Sequence, residues 1–201
     1  LADCFEMDKE NNPALGYRGI RISLEKDEMF RTQLRAILRA SVYGNVSIMF
    51  PMITSLEEVK AAKVQLERAK KELSANKTAY NKDIEVGVMI ETPAAVMISG
   101  ELAREVDFFS IGTNDLLQFT LGMDRTNAKI DSYYNPHHPA LLKMIRIITN
   151  NGHLEEKRIS ICGDLAADLS LTEYFLQIGI DELSVAPGQV LGLRKKIREI
   201  Q

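Results

Sequence analysis

The sequence predicts an α/β fold in which a parallel sheet is covered by helices. Short apolar segments of strand length alternate along the chain with longer segments whose apolar residues recur at helical spacing. The composition of the 201 residues, 45% hydrophobic and 26% charged, is ordinary for a globular domain, and no Pro-, Gly- or Ser-rich linker divides the chain. Because a helix between two strands returns the chain to the same end of the sheet, this alternation indicates parallel strands around one core.

Five strands are predicted from short apolar runs that end at small or polar residues. A further apolar stretch, residues 15–22, is interpreted either as a sixth strand or as a loop. The five predicted strands cover residues 46–51, 84–91, 108–111, 158–163 and 181–187.

Helices are predicted between these strands from the spacing of apolar residues and from residues that cap helix ends. Ser55 and Glu58 form a capping box at the start of the second helix. Thr92 caps the third helix, which begins at Pro93 and continues to about residue 104. The other predicted caps are Ser23 for the first helix and Ser170 with Glu173 for the helix that ends at Gly179.

Two parallel architectures fit this order of elements. An open doubly wound sheet can use five or six strands, yet no strand–helix junction carries the Gly-rich fingerprint of dinucleotide binding. A (β/α)₈ barrel needs eight strand–helix units and typically about 250 residues, so the chain is short of a barrel by about two units. The alternation alone leaves both architectures open.

Charge, hydropathy and cysteine content exclude several classes of partner. The net charge of −3 and the pI of about 5.7 give no basic footprint for nucleic acid. No apolar run approaches the roughly 20 residues of a membrane span, and we expect no signal peptide. Cys4 and Cys162 give neither a disulfide framework nor zinc-ligand spacing, so we expect a cytoplasmic protein without membrane or nucleic-acid partners. The start at Leu1, without Met, predicts a piece of a longer protein.

Carboxylates and a cysteine stand where predicted strands end. Glu91 ends the second strand, Asp115 follows the third, and Cys162 lies at the end of the fourth. The carboxyl ends of parallel strands meet at one rim, where the catalytic groups of such folds collect. Glu91 and Asp115 are hard oxygen donors of the kind that bind Mg²⁺ or Mn²⁺ together with substrate and water.

Each of these residues also has a structural interpretation. A carboxylate such as Asp115 is often only a helix N-cap, and a free cysteine is usually a small buried apolar residue. Glu91 is harder to explain in that way, because a buried charge needs a partner. Arg18 and Arg125 are interpreted either as surface residues or as bidentate ligands of a phosphate or carboxylate. Taken together, these residues predict a site for a small phosphorylated anion.

Longer motifs resemble a known enzyme family. Residues 107–125, DFFSIGTNDLLQFTLGMDR, resemble the signature of the phosphoenolpyruvate-utilising enzymes. Together with five further motifs, which extend the likeness over essentially the whole chain, they most closely resemble enzyme I of the bacterial sugar phosphotransferase system, the phosphoenolpyruvate–protein phosphotransferases. The further motifs lie, in the same order as in the family, at residues 12–21, 48–53, 88–95, 134–142 and 161–168.

The resemblance implies a (β/α)₈ barrel that binds phosphoenolpyruvate and Mg²⁺ at its strand ends and forms a homodimer. By position, Glu91 and Asp115 resemble the metal ligands of the family. Arg18 and Arg125 resemble its phosphate-binding arginines. Asn114 resembles a contact to the phosphate, and Asp115 lies among these substrate-binding residues.

The resemblance also implies a reaction. Cys162 resembles the acid that protonates the enolate carbon and so releases pyruvate. Breaking the P–O bond leaves an enolate whose charge Mg²⁺ and arginine can stabilise. An ordinary thiol, with a pKa near 8.5, is mostly protonated at neutral pH and can donate a proton to carbon. In the family the phosphoryl group passes to a histidine on another domain and then to the HPr carrier protein, as the first step of sugar uptake.

Departures from the family pattern imply an incomplete barrel. The family has earlier strands with two more phosphate-binding arginines and a separate domain with a phospho-accepting histidine. We therefore expect residues 1–201 to be a fragment of the phosphoenolpyruvate-binding barrel, about its last six β/α units, and to be inactive alone. Asp164 and Ala167 replace the usual glutamate and glycine, which changes the fine geometry of that loop. The histidines without ligand spacing, which we predict to be structural, are His137, His138 and His153.

Three rival interpretations stay open. Pyruvate phosphate dikinase and phosphoenolpyruvate synthase share the core signature, the metal and the cysteine, although residues 48–53 and 134–142 fit the phosphotransferases better. A carbon–carbon lyase on a similar barrel is disfavoured by Cys162 and by the adjacent Asn114 and Asp115. A non-catalytic dimerisation module would keep the fold without the chemistry.

Overall fold

Five parallel strands form one sheet in which the spatial order of the strands follows their order in the chain. The computed structural model describes residues 10–200, except for the side chain of Asp131. Neighbouring strands are all paired in parallel. The strands are β1 (Ile48–Phe50), β2 (Val86–Ile90), β3 (Phe108–Gly112), β4 (Arg158–Cys162) and β5 (Glu182–Leu183).

This strand order distinguishes between the two architectures that the sequence left open. A doubly wound sheet reverses its strand order at a switch point, whereas a barrel adds each strand on the same side of the preceding one. The order β1-β2-β3-β4-β5 shows no reversal within residues 10–200. The fold is therefore of the (β/α)₈-barrel type, of which the described residues supply a part.

Helices connect the strands and pack against them. A 20-residue helix connects β1 to β2 and a 16-residue helix lies between β3 and β4, whereas the other two connections contain shorter helices and turns, and a 14-residue helix precedes β1. The helices are α1 (Ile20–Glu25), α2 (Asp27–Ala40), α3 (Leu56–Ala75), α4 (Pro93–Met97), α5 (Ser99–Ala103), α6 (Thr113–Leu121), α7 (Pro139–Leu154), α8 (Thr172–Gln177) and α9 (Val190–Ile200), with 3₁₀ turns at Pro13–Leu15, Asp131–Tyr133, Asp164–Ala167 and Pro187–Gln189.

Two of the predicted helix caps are confirmed. Ser55 Oγ accepts a hydrogen bond from the Glu58 N–H at 3.2 Å, while the Glu58 carboxylate accepts from the Ser55 N–H at 3.0 Å, so α3 begins with a complete capping box. Thr92 Oγ1 accepts from the Ala95 N–H at 3.1 Å, and Pro93 is the first residue of α4.

The stretch at residues 15–22 is neither a strand nor wholly a loop. Its second half is the start of α1, because Ile20 and Leu24 are four residues apart and both pack into the core. Gly19, with φ 58°, separates this helix from the preceding turn. Neither of the two interpretations, a sixth strand or a loop, therefore describes residues 20–22, which are helical.

Three further expectations about helix ends are wrong. Ser23 lies inside α1, where its hydroxyl donates to the Gly19 carbonyl, and no side chain caps α2. Ser170 bonds to Asp168 and not to α8, which begins at Thr172 without a side-chain cap. The helix predicted from Pro93 to about residue 104 is divided into α4 and α5 at Ile98. The expectation that Cys4 belongs to neither a disulfide framework nor a zinc site concerns a residue outside the described range.

The core lies between the sheet and its helices. The central strands are buried on both faces, which explains why they read as continuous apolar runs. Fully buried strand residues include Val88, Ile90, Phe109, Ile111, Ile159 and Ile161. Within the described part of the chain, none of the helices combines the length and the low polarity that crossing a bilayer requires.

Gly152 sets how closely α7 approaches the sheet. A Cβ at this position would collide with Ile159 Cδ1 of β4 and would lie 3.4 Å from the Phe109 ring of β3. Both neighbours are completely buried and have no free volume to move into. Glycine at position 152 thus lowers the helix propensity of α7 but allows the helix to pack closely against the sheet.

Gly152→Ala is expected to destabilise the fold by about 1–3 kcal/mol, since overpacking outweighs the gain in helix propensity of about 1 kcal/mol. Gly100→Ala in α5 is the matched control, because nothing lies within 4 Å of its added Cβ. The control is expected to be neutral or slightly stabilising. Urea unfolding of both variants measures the difference, and equal stabilities would contradict the packing argument.

Candidate active site

Polar groups from neighbouring strands meet at the carboxyl edge of the sheet. Met52 follows β1, Glu91 follows β2, Asp115 lies in the first turn of α6 after β3, and Cys162 ends β4. Because these strands are parallel and adjacent, their ends form one rim. The structure thus brings the sequence-predicted candidates of β2, β3 and β4 to one edge.

The Glu91 carboxylate is the most deeply buried charged group of this rim, with 4% of the residue exposed. Burial raises the pKa of Glu91 to about 7, and the neighbouring Asp115 carboxylate acts in the same direction. A hydrogen bond of 2.6 Å from the Met52 N–H to Glu91 Oε1 and the positive charge of Arg18 oppose this rise in the pKa. The two carboxylates therefore favour a shared proton or a cation between them.

Both predicted arginines reach the Asp115 carboxylate. Arg18 Nη2 lies 2.9 Å from Asp115 Oδ2, and Arg125 Nη2 lies 3.9 Å from Asp115 Oδ1. The Asp115 side chain is 12% exposed, whereas the side chains of Arg18 and Arg125 are 34% and 40% exposed. The guanidinium groups therefore keep donors directed to solvent, where an anion can approach.

The donor set fits a hard divalent cation. Within residues 10–200, no cluster of three or more His, Cys, Asp or Glu side chains forms a site made by the protein alone. Mg²⁺ and similar ions bind through one or two carboxylates and complete their coordination with substrate and water. Glu91 and Asp115 supply that number of carboxylates, and the raised pKa of Glu91 marks a position where a cation can replace a proton.

Asn114 and Cys162 are held together by the loop that follows β4. Asn114 Oδ1 accepts a hydrogen bond of 3.1 Å from the Asp164 N–H, so its NH₂ group is the donor that it can offer to an anion. Gly163 has φ 91°, and a Cβ there would lie 2.7 Å from Thr113 Oγ1 and 2.9 Å from Asn114 Oδ1. The loop thus packs directly on the first turn of α6.

The Cys162 thiol is half-buried between two polar atoms of β3. Its Sγ lies 3.5 Å from the Ser110 hydroxyl and 3.5 Å from the Ile111 carbonyl oxygen. Thr113 Oγ1 donates a hydrogen bond of 3.0 Å to the Cys162 carbonyl. These contacts hold the end of β4, with its thiol, against β3 and the first residue of α6.

The long connection between α6 and α7 is attached to the rim at both ends. The Arg125 N–H donates to the Oε1 atom of the buried Gln118 at 3.0 Å. At the far end, His137 Nε2 lies 2.5 Å from Asp168 Oδ2, in the loop after β4. His137 therefore has a structural contact that joins the loop carrying Arg125 to the loop beside Cys162.

The other two histidines also make structural contacts. His138 Nδ1 accepts a hydrogen bond from the Ala140 N–H and caps α7. His153 Nε2 lies 3.0 Å from Asp181 Oδ2, before β5 and away from the rim.

Sequence reasoning missed two residues that shape the rim. Met52 was given no role beyond lying within the motif at residues 48–53, yet its backbone N–H donates a hydrogen bond to Glu91 Oε1. Gly112 lies so close to Glu91 that a Cβ there would be 2.8 Å from the Glu91 Cβ. The glycine directly before the Thr-Asn-Asp segment was a usable signal, whereas nothing in the sequence marks the backbone of Met52.

Comparison with protein families gives a match over nearly the whole chain. Residues 2–201 match the model of the PEP-binding domain of PEP-utilising enzymes. Similar curated proteins include the phosphoenolpyruvate-protein phosphotransferases of Bacillus subtilis (strain 168), 46% identical over 97% of this chain, and of Buchnera aphidicola, 48% identical over 95%. The chain spans about a third of the length of these relatives, 34% and 33%.

Solved structures with a similar fold are more distant in sequence. A citrate lyase from Burkholderia xenovorans LB400 superposes with a TM-score of 0.60 at 20% identity, over 83% of this chain and 53% of the other. A malate synthase from Haloferax volcanii gives a TM-score of 0.59 at 13% identity, over 83% of this chain and 50% of the other. At such identities the likeness shows the fold alone.

Glu91→Gln is expected to remove a pH-dependent loss of stability. The pKa of Glu91 is raised to about 7 from an ordinary 4.5, so between these values the folded state keeps a proton that the unfolded chain releases. The cost of this carboxyl is absent below pH 4.5, grows by roughly 1 kcal/mol per pH unit as the pH rises, and is complete above pH 7.

Urea unfolding at pH 5 and pH 8, with a chelator to remove divalent ions, measures this effect. The free energy of unfolding of Glu91→Gln, relative to that of the wild type, should be higher at pH 8 than at pH 5. Glutamine keeps an acceptor for the Met52 N–H but carries no buried charge that must form as the pH rises. Glu101→Gln, at an exposed position of α5, is the control and should show no such gain. The same stability difference for Glu91→Gln at both pH values would contradict the prediction.

Proposed function

This chain belongs to the PEP-utilising enzyme family, as its PEP-binding domain, and we propose that it binds phosphoenolpyruvate for phosphoryl transfer in an enzyme of the phosphoenolpyruvate–protein phosphotransferase type. The observation that carries the proposal is the convergence of Arg18 and Arg125 on Asp115, beside the buried Glu91. Two cationic donors and two carboxylates at one rim suit a phosphate that binds with a divalent cation.

The arginines and Asn114 bind the phosphoryl group in this proposal. Arg18 and Arg125 offer guanidinium donors near the two different oxygens of the Asp115 carboxylate, and Asn114 adds an amide donor on the first turn of α6. Glu91 and Asp115 hold Mg²⁺ or Mn²⁺, which supplies positive charge beside the phosphoryl and enolate oxygens when bound. The protein residues thereby position the substrate and stabilise the charge that develops as the P–O bond breaks.

Cys162 serves as the proton donor to the enolate. When the phosphoryl group leaves, the electron pair of the P–O bond remains on the enolate oxygen, and the carbon must take up a proton to give pyruvate. The thiol of Cys162 lies at the rim and gives up its S–H proton to that carbon, becoming a thiolate that solvent reprotonates. Asn114 and Cys162 are joined through the loop that begins at Gly163, so the phosphate contact and the acid keep a fixed relation.

The acceptor and the partners belong to the proposal as well. We propose that residues 1–201 are part of a barrel whose other strands lie elsewhere in the polypeptide. The phosphoryl group passes to a histidine on a separate domain and from there to the HPr carrier protein. A homodimer in the cytoplasm is the assembly that the likeness to the phosphotransferases supports. The chain's share of about a third of its relatives' length leaves room for these parts.

Asp115→Ala is expected to abolish Mg²⁺-dependent binding of phosphoenolpyruvate, because it removes a proposed metal ligand and the anchor of both arginines. Calorimetric titration of the protein at its full encoded length, with and without Mg²⁺, measures the loss. Asp83→Ala, an exposed position before β2, is the control and should bind as the wild type does. Unchanged binding by Asp115→Ala would refute the assignment of the site.

Cys162→Ala is expected to bind phosphoenolpyruvate normally and to release pyruvate at least about 100-fold more slowly, since it lacks the acid. Coupling pyruvate formation to a dehydrogenase measures the rate. Cys162→Ser tests whether the thiol itself matters, because a hydroxyl of similar size is a much weaker acid. Pyruvate release at the wild-type rate by the alanine variant would remove the acid role.

A further inference from the structure

Met52 has a backbone conformation that is unusual for its position. Its φ is 57°, in the left-handed region that costs a non-glycine residue on the order of 1 kcal/mol or more. Within residues 10–200, the other non-glycine residues with positive φ are Lys77 and Glu156. Both are exposed and follow helix ends, where this conformation is common. Met52 instead follows a strand and is 3% exposed, so its surroundings hold it in place.

The backbone N–H of Met52 is bonded to the carboxylate that we propose as a metal ligand. This N–H donates a hydrogen bond of 2.6 Å to Glu91 Oε1. The bond also counteracts the burial that raises the pKa of Glu91. A change in the position of Met52 would therefore move or release Glu91.

The Met52 side chain touches the loop that carries Arg18. A Cβ at Gly19 would lie 2.7 Å from the Met52 Cβ and 2.8 Å from its Cγ. Gly19 itself has φ 58° and ψ −132°, a conformation that residues with a side chain avoid. The loop after Arg18 can approach the end of β1 this closely only because residue 19 is glycine.

The rest of this loop is held by its own contacts. Arg21 Nη1 donates hydrogen bonds of 2.9 Å to the carbonyl oxygens of Leu15 and Gly16. The turn before Arg18 is thereby joined to α1 as one unit. Gly19 and Met52 form the contact of this unit with the end of β1, beside the core packing of Ile20 and the ion pair between Arg18 and Asp115.

We propose that Met52 is a positioning residue that couples the metal-binding Glu91 to the phosphate-binding Arg18. One contact is its N–H bond to Glu91, and the other is the packing of its side chain on Gly19. The inference rests on the proposed function and deepens it, because a cation and a phosphate bound side by side would require their protein ligands at a fixed separation. Misplacement of such groups by about 1 Å can cost orders of magnitude in rate.

Gly19→Ala tests the coupling across the two contacts. In the protein at its full encoded length, the added Cβ displaces Met52 and so disturbs Glu91. We expect Mn²⁺ to bind at least about fivefold more weakly in the absence of phosphoenolpyruvate, as measured by electron paramagnetic resonance of free Mn²⁺. A loop that only positioned Arg18 would not weaken this metal affinity, because moving the guanidinium away from Asp115 removes a positive charge that competes with the cation.

Gly122→Ala is the matched control. Gly122 also has a positive φ, 62°, and follows α6 near the same site, but nothing lies within 4 Å of its added Cβ. With ψ 37° Gly122 is in the left-handed helical region, so this variant carries a milder backbone strain than Gly19→Ala and lacks the contact, and the double variant Gly19→Ala/Met52→Gly controls for the strain at residue 19. We expect its Mn²⁺ affinity to stay within about twofold of the wild type.

Met52→Gly separates the two contacts from each other. Glycine keeps the N–H and accepts the positive φ, so Mn²⁺ affinity should stay within about twofold of the wild type. Affinity for phosphoenolpyruvate should fall at least about threefold, because the Arg18 loop loses its support. In the double variant Gly19→Ala/Met52→Gly the colliding atoms are gone, and Mn²⁺ affinity should return to that of Met52→Gly.

Each outcome has a defined meaning. Wild-type Mn²⁺ affinity in Gly19→Ala, or no recovery in the double variant, overturns the coupling while the proposed function stands. If Gly19→Ala does not fold, the test rests on Met52→Gly alone. In that case a wild-type affinity of Met52→Gly for phosphoenolpyruvate overturns the inference. A wild-type protein that binds neither Mn²⁺ nor phosphoenolpyruvate overturns the proposed function itself, and the inference with it.

Discussion

The close approach of two carboxylates, Glu91 and Asp115, is the constraint on which the rest of the rim depends. Burial and mutual repulsion disfavour two negative charges, and this is why the pKa of Glu91 is raised to about 7. The Met52 N–H and the Arg18 guanidinium offset part of that cost. The remaining cost is what a divalent cation or a proton can relieve, so the pair is a site that favours an occupant.

The sheet enforces this approach. Ile90 of β2 pairs with Ile111 of β3, so the residues that follow them, Glu91 and Gly112, are neighbours at the strand ends. Any side chain at residue 112 would occupy the place of the Glu91 carboxylate, with a Cβ 2.9 Å from its Oε2. Rigid parallel strands and one glycine thus hold a pair of charges that a flexible loop would let separate.

The sequence predicted the features that depend on local chemistry. The capping box at Ser55 and the cap at Thr92 are contacts between near neighbours in the chain, and both formed as expected. The barrel type followed from the family motifs, and the strand order then agreed with it. The convergence of Glu91 and Asp115 on one rim followed from their places at the ends of parallel strands.

The features that the sequence could not predict depend on tertiary contacts. Residues 15–22 are apolar enough for a strand, and only the packing of Ile20 and Leu24 against the core selects a helix for their second half. Ser23 and Ser170 have side chains typical of caps, but the Ser23 hydroxyl binds the Gly19 carbonyl within its own helix and the Ser170 hydroxyl binds Asp168. The left-handed backbone of Met52 has no signal in its residue type, because the surrounding structure imposes it.

The strand order also bears on how the protein is made. Since each strand pairs with the one before it, the sheet can grow at one edge while the ribosome is still extending the chain. Arg18, Glu91 and Asp115 all emerge before β4, so a nascent chain can bring these three charged side chains together before Cys162 is added. Synthesis would then assemble the groups that we propose to bind the substrate ahead of the thiol that we propose to protonate it.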